Sequence, residues 1–144
     1  MKYAFLLILF FYHSLSVTYA QNLGNYSANP YAPNSTSNPY GAGSSYNLNS
    51  INNHYGNYGS PYSNQSVHNP YATNGPKLYD QNGNYHGRLS SNPYDPESTA
   101  NPYGRYGSRY SADSINNQFG AGSPYSPSSP NNPFGQGMEL QADE

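Results

Sequence analysis

The sequence predicts a mostly irregular chain: a small repeat module with one-turn helices and a single β-hairpin at about residues 77–89, behind an N-terminal signal helix. Three observations predict it. An eleven-residue unit recurs six times, aliphatic residues are scarce, and only residues 77–89 (KLYDQNGNYHGRL) read as two strands around a turn.

Residues 1–20 have the make-up of an export signal. Lys2 is followed by the apolar run AFLLILFFY from Ala4 to Tyr12, then by Thr18-Tyr19-Ala20, which places small residues three and one before a cut after Ala20. The run is shorter than the ~20 apolar residues that a membrane-spanning helix needs. The expectation is export to the periplasm, cell surface or extracellular space, with no membrane insertion after cleavage.

Beyond residue 20 the repeat dominates. Aligned on Tyr31, Tyr46, Tyr62, Tyr94, Tyr110 and Tyr125, the units span 31–41, 46–56, 62–72, 94–104, 110–120 and 125–135. The fifth residue is always serine (Ser35, Ser50, Ser66, Ser98, Ser114, Ser129) and the eighth always asparagine (Asn38, Asn53, Asn69, Asn101, Asn117, Asn132). The tenth is aromatic (Tyr40, Tyr55, Tyr71, Tyr103, Phe119, Phe134), and the eleventh is glycine (Gly41, Gly56, Gly104, Gly120, Gly135) except at Ala72. Such registration marks a repeat architecture.

The other columns suggest one helical turn per unit. The second residue is a capping type in five copies (Asn47, Ser63, Asp95, Ser111, Ser126), and the third is proline in three (Pro33, Pro96, Pro127). Proline at the ninth position (Pro39, Pro70, Pro102, Pro133) then stops the turn. The β-branched sixth residue (Thr36, Ile51, Val67, Thr99, Ile115) and the tenth-position aromatic are the bulky groups expected to be buried. So short a turn cannot stand alone and must pack on its neighbours.

The chain divides accordingly. Residues 21–76 contain no charged residue and carry the less regular copies. They admit two readings, a diverged folding unit or a disordered low-complexity tract. Residues 77–135 hold the hairpin and the better-kept copies, and the acidic residues 136–144 are expected to be a disordered tail. In the hairpin, Asp80-Gln81-Asn82-Gly83 suits a turn with Gly83 in the left-handed region, which sets Tyr79 opposite Tyr85. Strand-like lead-ins to Ser-x-Asn-Pro-Tyr before Tyr31 and Tyr94 suggest that the duplicated module includes a strand whose partner the first copy has lost.

Composition bounds the function. Leu, Ile, Val and Phe make only ten of the 124 residues after Ala20, well below the ~20 % under which disorder is suspected. The fifteen tyrosines after that point, with Phe119 and Phe134, are therefore expected to supply the bulk of any core. There is no cysteine, hence no disulfide. Lys77, Arg88, Arg105 and Arg109 stand against seven acids, which excludes the basic footprint of a nucleic-acid binder.

Chemistry-bearing motifs are few. His54, His68 and His86 lie in unrelated contexts without metal-ligand spacing. The DQNGN stretch has its glycine at the fourth position, where a calcium loop needs it at the sixth. Asp95 and Glu97 are explained by capping. No residue cluster proposes a reaction or a cofactor.

Residues 78–134 resemble a group of small exported bacterial proteins of no established function, with NPYG and SPYS-x-x-SINN-type Tyr/Asn/Pro/Gly repeats. The segments carrying the resemblance are LYDQNGNYHGRLS, SNPYDPES, NPYGRYGSRYS, DSINN and FGAGSPYS. The chain departs from that pattern at Arg109 and Gln118, where proline is usual. The resemblance implies export and brings no active residues.

The expected function is a non-enzymatic structural or binding protein of the cell envelope or extracellular space. The candidate partners are a cell-wall polysaccharide, with Tyr103 and Tyr125 as stacking residues, or other copies of the chain. The alternative is a disordered, self-associating matrix-type protein.

Overall fold

A period of three lies beneath the longer unit. From Asn29 the chain parses into Asn-Pro-Tyr, Ala-Pro-Asn, Ser-Thr-Ser, Asn-Pro-Tyr and Gly-Ala-Gly, and the same parsing runs through all six units. The computed structural model of the protein describes residues 20–143, and there the triplets are tight turns. The carbonyl of a triplet's first residue accepts the N–H three residues on: Ser35 donates to Ala32, Asn38 to Ser35 and Gly41 to Asn38, each at 3.1 Å. The first residue's side chain also accepts the N–H of the third. Asn38 Oδ1 takes that of Tyr40 at 2.9 Å, Ser50 Oγ that of Asn52 at 3.0 Å and Asp95 Oδ1 that of Glu97 at 2.9 Å. The middle residue needs no N–H, and all but Pro76 of the thirteen prolines stand there.

This corrects the expected one-turn helices. No described residue is helical. A serine, asparagine or aspartate opening most triplets captures a nearby N–H and restarts the turn, so i→i−4 bonds stay isolated, as from Ser60 to Gly56 and from Ser108 to Gly104, both at 3.0 Å. The residues read as helix caps do accept backbone N–H groups, but each turn ends after three residues.

Four or five triplets, with at most one extra residue, make one coil: residues 29–43, 44–59, 60–72, 92–107, 108–122 and 123–135, numbered coils 1 to 6. The eighth-position asparagine closes each coil by using both ends of its amide. Asn117 Nδ2 donates to the Ser111 carbonyl at 3.0 Å while its Oδ1 accepts the N–H of Phe119 at 3.0 Å. Asn101 does the same with Asp95 and Tyr103. Aspartate lacks the donor and serine the reach, which explains the uniform asparagine. Coils are tied to one another by a second amide. Asn52 Nδ2 donates to the carbonyls of Thr36 (2.8 Å) and Gly43 (3.0 Å), and Asn116 to those of Thr99 (2.8 Å) and Gly107 (3.0 Å).

Four strands hold the two sets of coils together. They are β1 (Gln21–Tyr26), β2 (Lys77–Tyr79), β3 (Tyr85–Arg88) and β4 (Met138–Ala142), all pairs antiparallel, in spatial order β1-β4-β2-β3. The expected lone hairpin is thus one side of a four-stranded sheet. Each half of the chain runs strand, three coils, strand, and the halves exchange partners. β1 opens the first half but pairs with β4, which closes the second, whereas β3 opens the second half and pairs with β2. Leu78 faces Leu140 where β2 and β4 meet. At Gly24 (φ 98°) and Gly87 (φ 89°) the backbone is left-handed, and a Cβ would lie 2.7 Å from the Asn34 and Glu97 carbonyls respectively. Only glycine lets each opening strand lie this close to the first coil of its half.

Two further corrections follow. The acidic end is ordered as a central strand, with Met138, Leu140 and Ala142 buried in alternation, so the disordered-tail expectation does not hold. Residues 21–76 fold along the same path as the second half, and the disordered reading of them fails with it: Asn25–Thr36 and Arg88–Thr99 make matching backbone bonds of 2.9 and 3.0 Å. The expected signal segment lies, apart from Ala20, outside the described residues.

The core is aliphatic. Leu23, Ile51, Val67, Leu78, Leu89, Ile115, Met138, Leu140 and Ala142 form one buried cluster that draws the sixth-position residues of both halves onto the sheet. Tyr58 is the aromatic in that cluster, with Tyr26 packed against it. The tyrosines were expected to fill this role and do not. A coil of tight turns leaves interior room only for small groups, and the fifth-position serines are 0–1 % exposed.

Candidate functional site

Each coil places its first- and tenth-position aromatics outward. Tyr31, Tyr40, Tyr46, Tyr55, Tyr62, Tyr71, Tyr94, Tyr103, Tyr110, Phe119, Tyr125 and Phe134 are 84–98 % exposed. They share one position in their triplets, the third, directly after the middle residue that proline so often fills. The backbone N–H of each is held by the side chain two residues before it, as in Tyr103 by Asn101 (3.0 Å) and Tyr125 by Ser123 (3.3 Å). The rings therefore stand on ordered backbone. So many large rings left in solvent at repeating positions mark a candidate interaction surface.

The structural positions singled out in the sequence have distinct places. Ser98 and Ser114 are fully buried, with Oγ accepting the N–H of Ala100 (3.0 Å) and Asn116 (3.1 Å). Gly104 and Gly120 sit against carbonyls: a Cβ would lie 3.0 Å from the Pro96 oxygen and 2.7 Å from that of Ala112. Asn101 and Asn117 close their coils, Tyr103 and Phe119 are exposed, and so is Tyr125. The twelve rings thus make two series in each half of the molecule, a first-position row and a tenth-position row read along successive coils.

Between the rows in coil 5 lies a cleft of about 740 Å³, lined by Arg109, Tyr110, Asn116, Asn117, Gln118 and Phe119. Tyr110 and Phe119 flank it, and the closing amide of Asn117 lies in its wall. An open pocket of about 410 Å³ is lined by Ile51, Val67, Leu89 and Ile115 at the edge of the core, together with polar residues such as Asn52 and His68.

Asp80, Asn82 and Gly83 form the turn between β2 and β3. Gly83 (φ 81°) donates its N–H to the Asp80 carbonyl at 3.0 Å, and Tyr79 faces Tyr85 with ring centroids 5.6 Å apart. Asp80 Oδ1 accepts the N–H groups of Asn82 and Asn84, both at 2.9 Å, and Oδ2 lies 3.0 Å from His86 Nε2. Burial pushes the Asp80 carboxyl up, but these donors together hold it below the usual carboxylate range. His86 Nδ1 is 2.9 Å from the Asp113 carbonyl, which ties the turn to coil 5. Beyond the turn, Arg88 binds Asp143 (3.0 Å) and Glu97 (3.2 Å), and Lys77 binds Asp143 (3.3 Å). These groups are spent on tying the strands to one another, through Asp143, and the sheet to the coils, through Glu97 and the Asp113 carbonyl. Among the described residues no group of histidines and carboxylates could hold a metal ion.

No known protein family, curated protein or solved structure matches the chain.

Proposed function

We propose that the chain is a non-enzymatic binding protein of the cell envelope or extracellular space whose rows of exposed aromatics stack on a polysaccharide. The observation that carries this reading is the near-complete exposure of twelve aromatic rings at repeating positions. A sugar ring presents an apolar face to an aromatic platform, and a polymer presents it repeatedly, as the coils do the platforms. Polar side chains between the rows, such as Gln118, offer hydrogen bonds to hydroxyls. The rings cost the fold nothing to lose, since their contacts are with solvent.

The test is depletion of the protein from solution by insoluble peptidoglycan, chitin and cellulose, with and without Tyr103→Ser and Tyr125→Ser together. The parent is expected to sediment with at least one polymer. The double variant is expected to bind several-fold more weakly while its stability changes by less than about 0.5 kcal/mol, as for other surface substitutions. Equal binding by parent and variant on every polymer would remove the stacking role. Concentration-dependent sedimentation of the parent without polymer would point to self-association as the use of the rows.

A further inference from the structure

Coil 5 departs from four of the other five coils where its cleft opens. The middle residue of a coil's first triplet is Pro30, Pro61, Pro93 or Pro124 in four coils, and that of its fourth is Pro39, Pro70, Pro102 or Pro133 in the same four. In coil 5 both prolines are replaced, by Arg109 and Gln118, and both side chains line the cleft between Tyr110 and Phe119. Proline suits these places, because it stiffens the unfolded chain and the middle N–H makes no bond. The two replacements therefore do not serve the turn. The equivalent coil of the first half, coil 2, also lacks both prolines but carries Ser45 and His54, neither of them a fixed charge.

Arg109 also differs from the other cations. Lys77, Arg88 and Arg105 are each in an ion pair, Arg105 with Asp113 at 2.6 Å, whereas Arg109 has no carboxylate partner among the described residues. The cleft lining contains no carboxylate either. An exposed, unpaired guanidinium thus stands beside two aromatic platforms and the amides of Asn116 and Gln118, in a chain whose net charge is −2.

We infer that the coil 5 cleft is a subsite for a carboxylate-bearing sugar, a uronic acid or similar unit of an acidic polysaccharide. Tyr110 and Phe119 hold the faces of the sugar, Arg109 takes the carboxylate through its planar pair of N–H donors, and Gln118 meets hydroxyls. The chain's overall negative charge opposes non-specific adhesion to a polyanion, so a preference for one must come from a local site. The inference rests on the polysaccharide reading above and adds charge selectivity at one coil.

The test is affinity electrophoresis of the exported protein through gels containing polygalacturonate, the same polymer after carboxyl reduction, or a neutral β-glucan. The parent is expected to be retarded most by polygalacturonate. Arg109→Pro restores the residue of four other coils, so it keeps the fold, and Arg109→Gln removes the charge without adding proline. Both are expected to weaken retardation by polygalacturonate about tenfold, the scale of one charge-assisted contact, and to leave the reduced polymer unaffected. Equal retardation of the parent by charged and reduced polymers overturns the charged subsite while the stacking reading stands. So does parent-like binding of polygalacturonate by both variants. Retardation by none of the three polymers overturns both readings.

Discussion

The two halves of the molecule take the same path with different chemistry. Residues 21–76 hold no charge, whereas the second half places Asp95, Glu97, Arg105, Arg109 and Asp113 among its coils and Arg88 at the end of β3. Yet the closing amides, the buried serines and the coil-to-coil bonds match: Asn53 donates to Asn47 at 3.1 Å as Asn117 does to Ser111 at 3.0 Å. The fold is therefore specified by side-chain-to-backbone hydrogen bonds at a period of three. Charge is an addition, used in the second half to pin the sheet and to furnish one cleft.

The largest test of this comparison is removal of residues 136–144, which takes β4 from the centre of the sheet. Since β4 pairs with both β1 and β2, the expected result is loss of dispersed amide signals from both halves at once. Survival of the first half alone would show that the halves fold separately. Next come Leu78→Ala and Leu140→Ala. Both side chains are fully buried and face each other, so each is expected to destabilise by about 3 kcal/mol in denaturant titrations. A large inequality between them would break the symmetry argued for the sheet.

Smaller effects separate coil from charge. Asn53→Asp and Asn117→Asp each replace a donor with an acceptor facing a carbonyl, and are expected to cost about 2 kcal/mol in either half. If only the charged half responded, the shared hydrogen-bond code would be wrong. Acid should have the smallest effect and fall on one region. Burial raises the Asp143 carboxyl, but Arg88 and Lys77 outweigh it and hold the group below the usual range, as the turn donors do for Asp80. A carboxyl lowered by folding adds stability above its ordinary value and loses it as pH falls through the lowered one. Amide exchange is therefore expected to quicken first in 77–88 and 138–143, and last in the uncharged coils 1 to 3.

Much of this was legible and some was misread for identifiable reasons. The eleven-residue unit, its serine and asparagine columns and the stretch around Asp80 and Gly83 are visible in the letters. The period of three is visible too, once prolines are taken as middle residues of turns. Capping residues followed by proline, as in Asp95-Pro96, also open helices, so local preference did not decide between the two. The residues 138–142 show the alternation of a strand, Met-Glu-Leu-Gln-Ala, but five residues in an acidic terminus are a weak signal without a partner. Arg109 and Gln118 stood out as departures from proline, and nothing in one dimension showed that they border the same cleft.

The sequence by itself determined the local geometry, because a serine or asparagine two residues before an N–H acts within its own triplet and needs no distant help. It determined the six-fold repetition for the same reason. Tertiary structure alone decided which face of the coil is inside. The interior of the coils is filled mainly by serine and β-branched residues, so the first- and tenth-position aromatics, among the largest apolar groups available, lie at the surface against the usual ranking. It also decided the exchange of strands between halves, since β1 and β4 lie at opposite ends of the described chain and meet only when all six coils are in place.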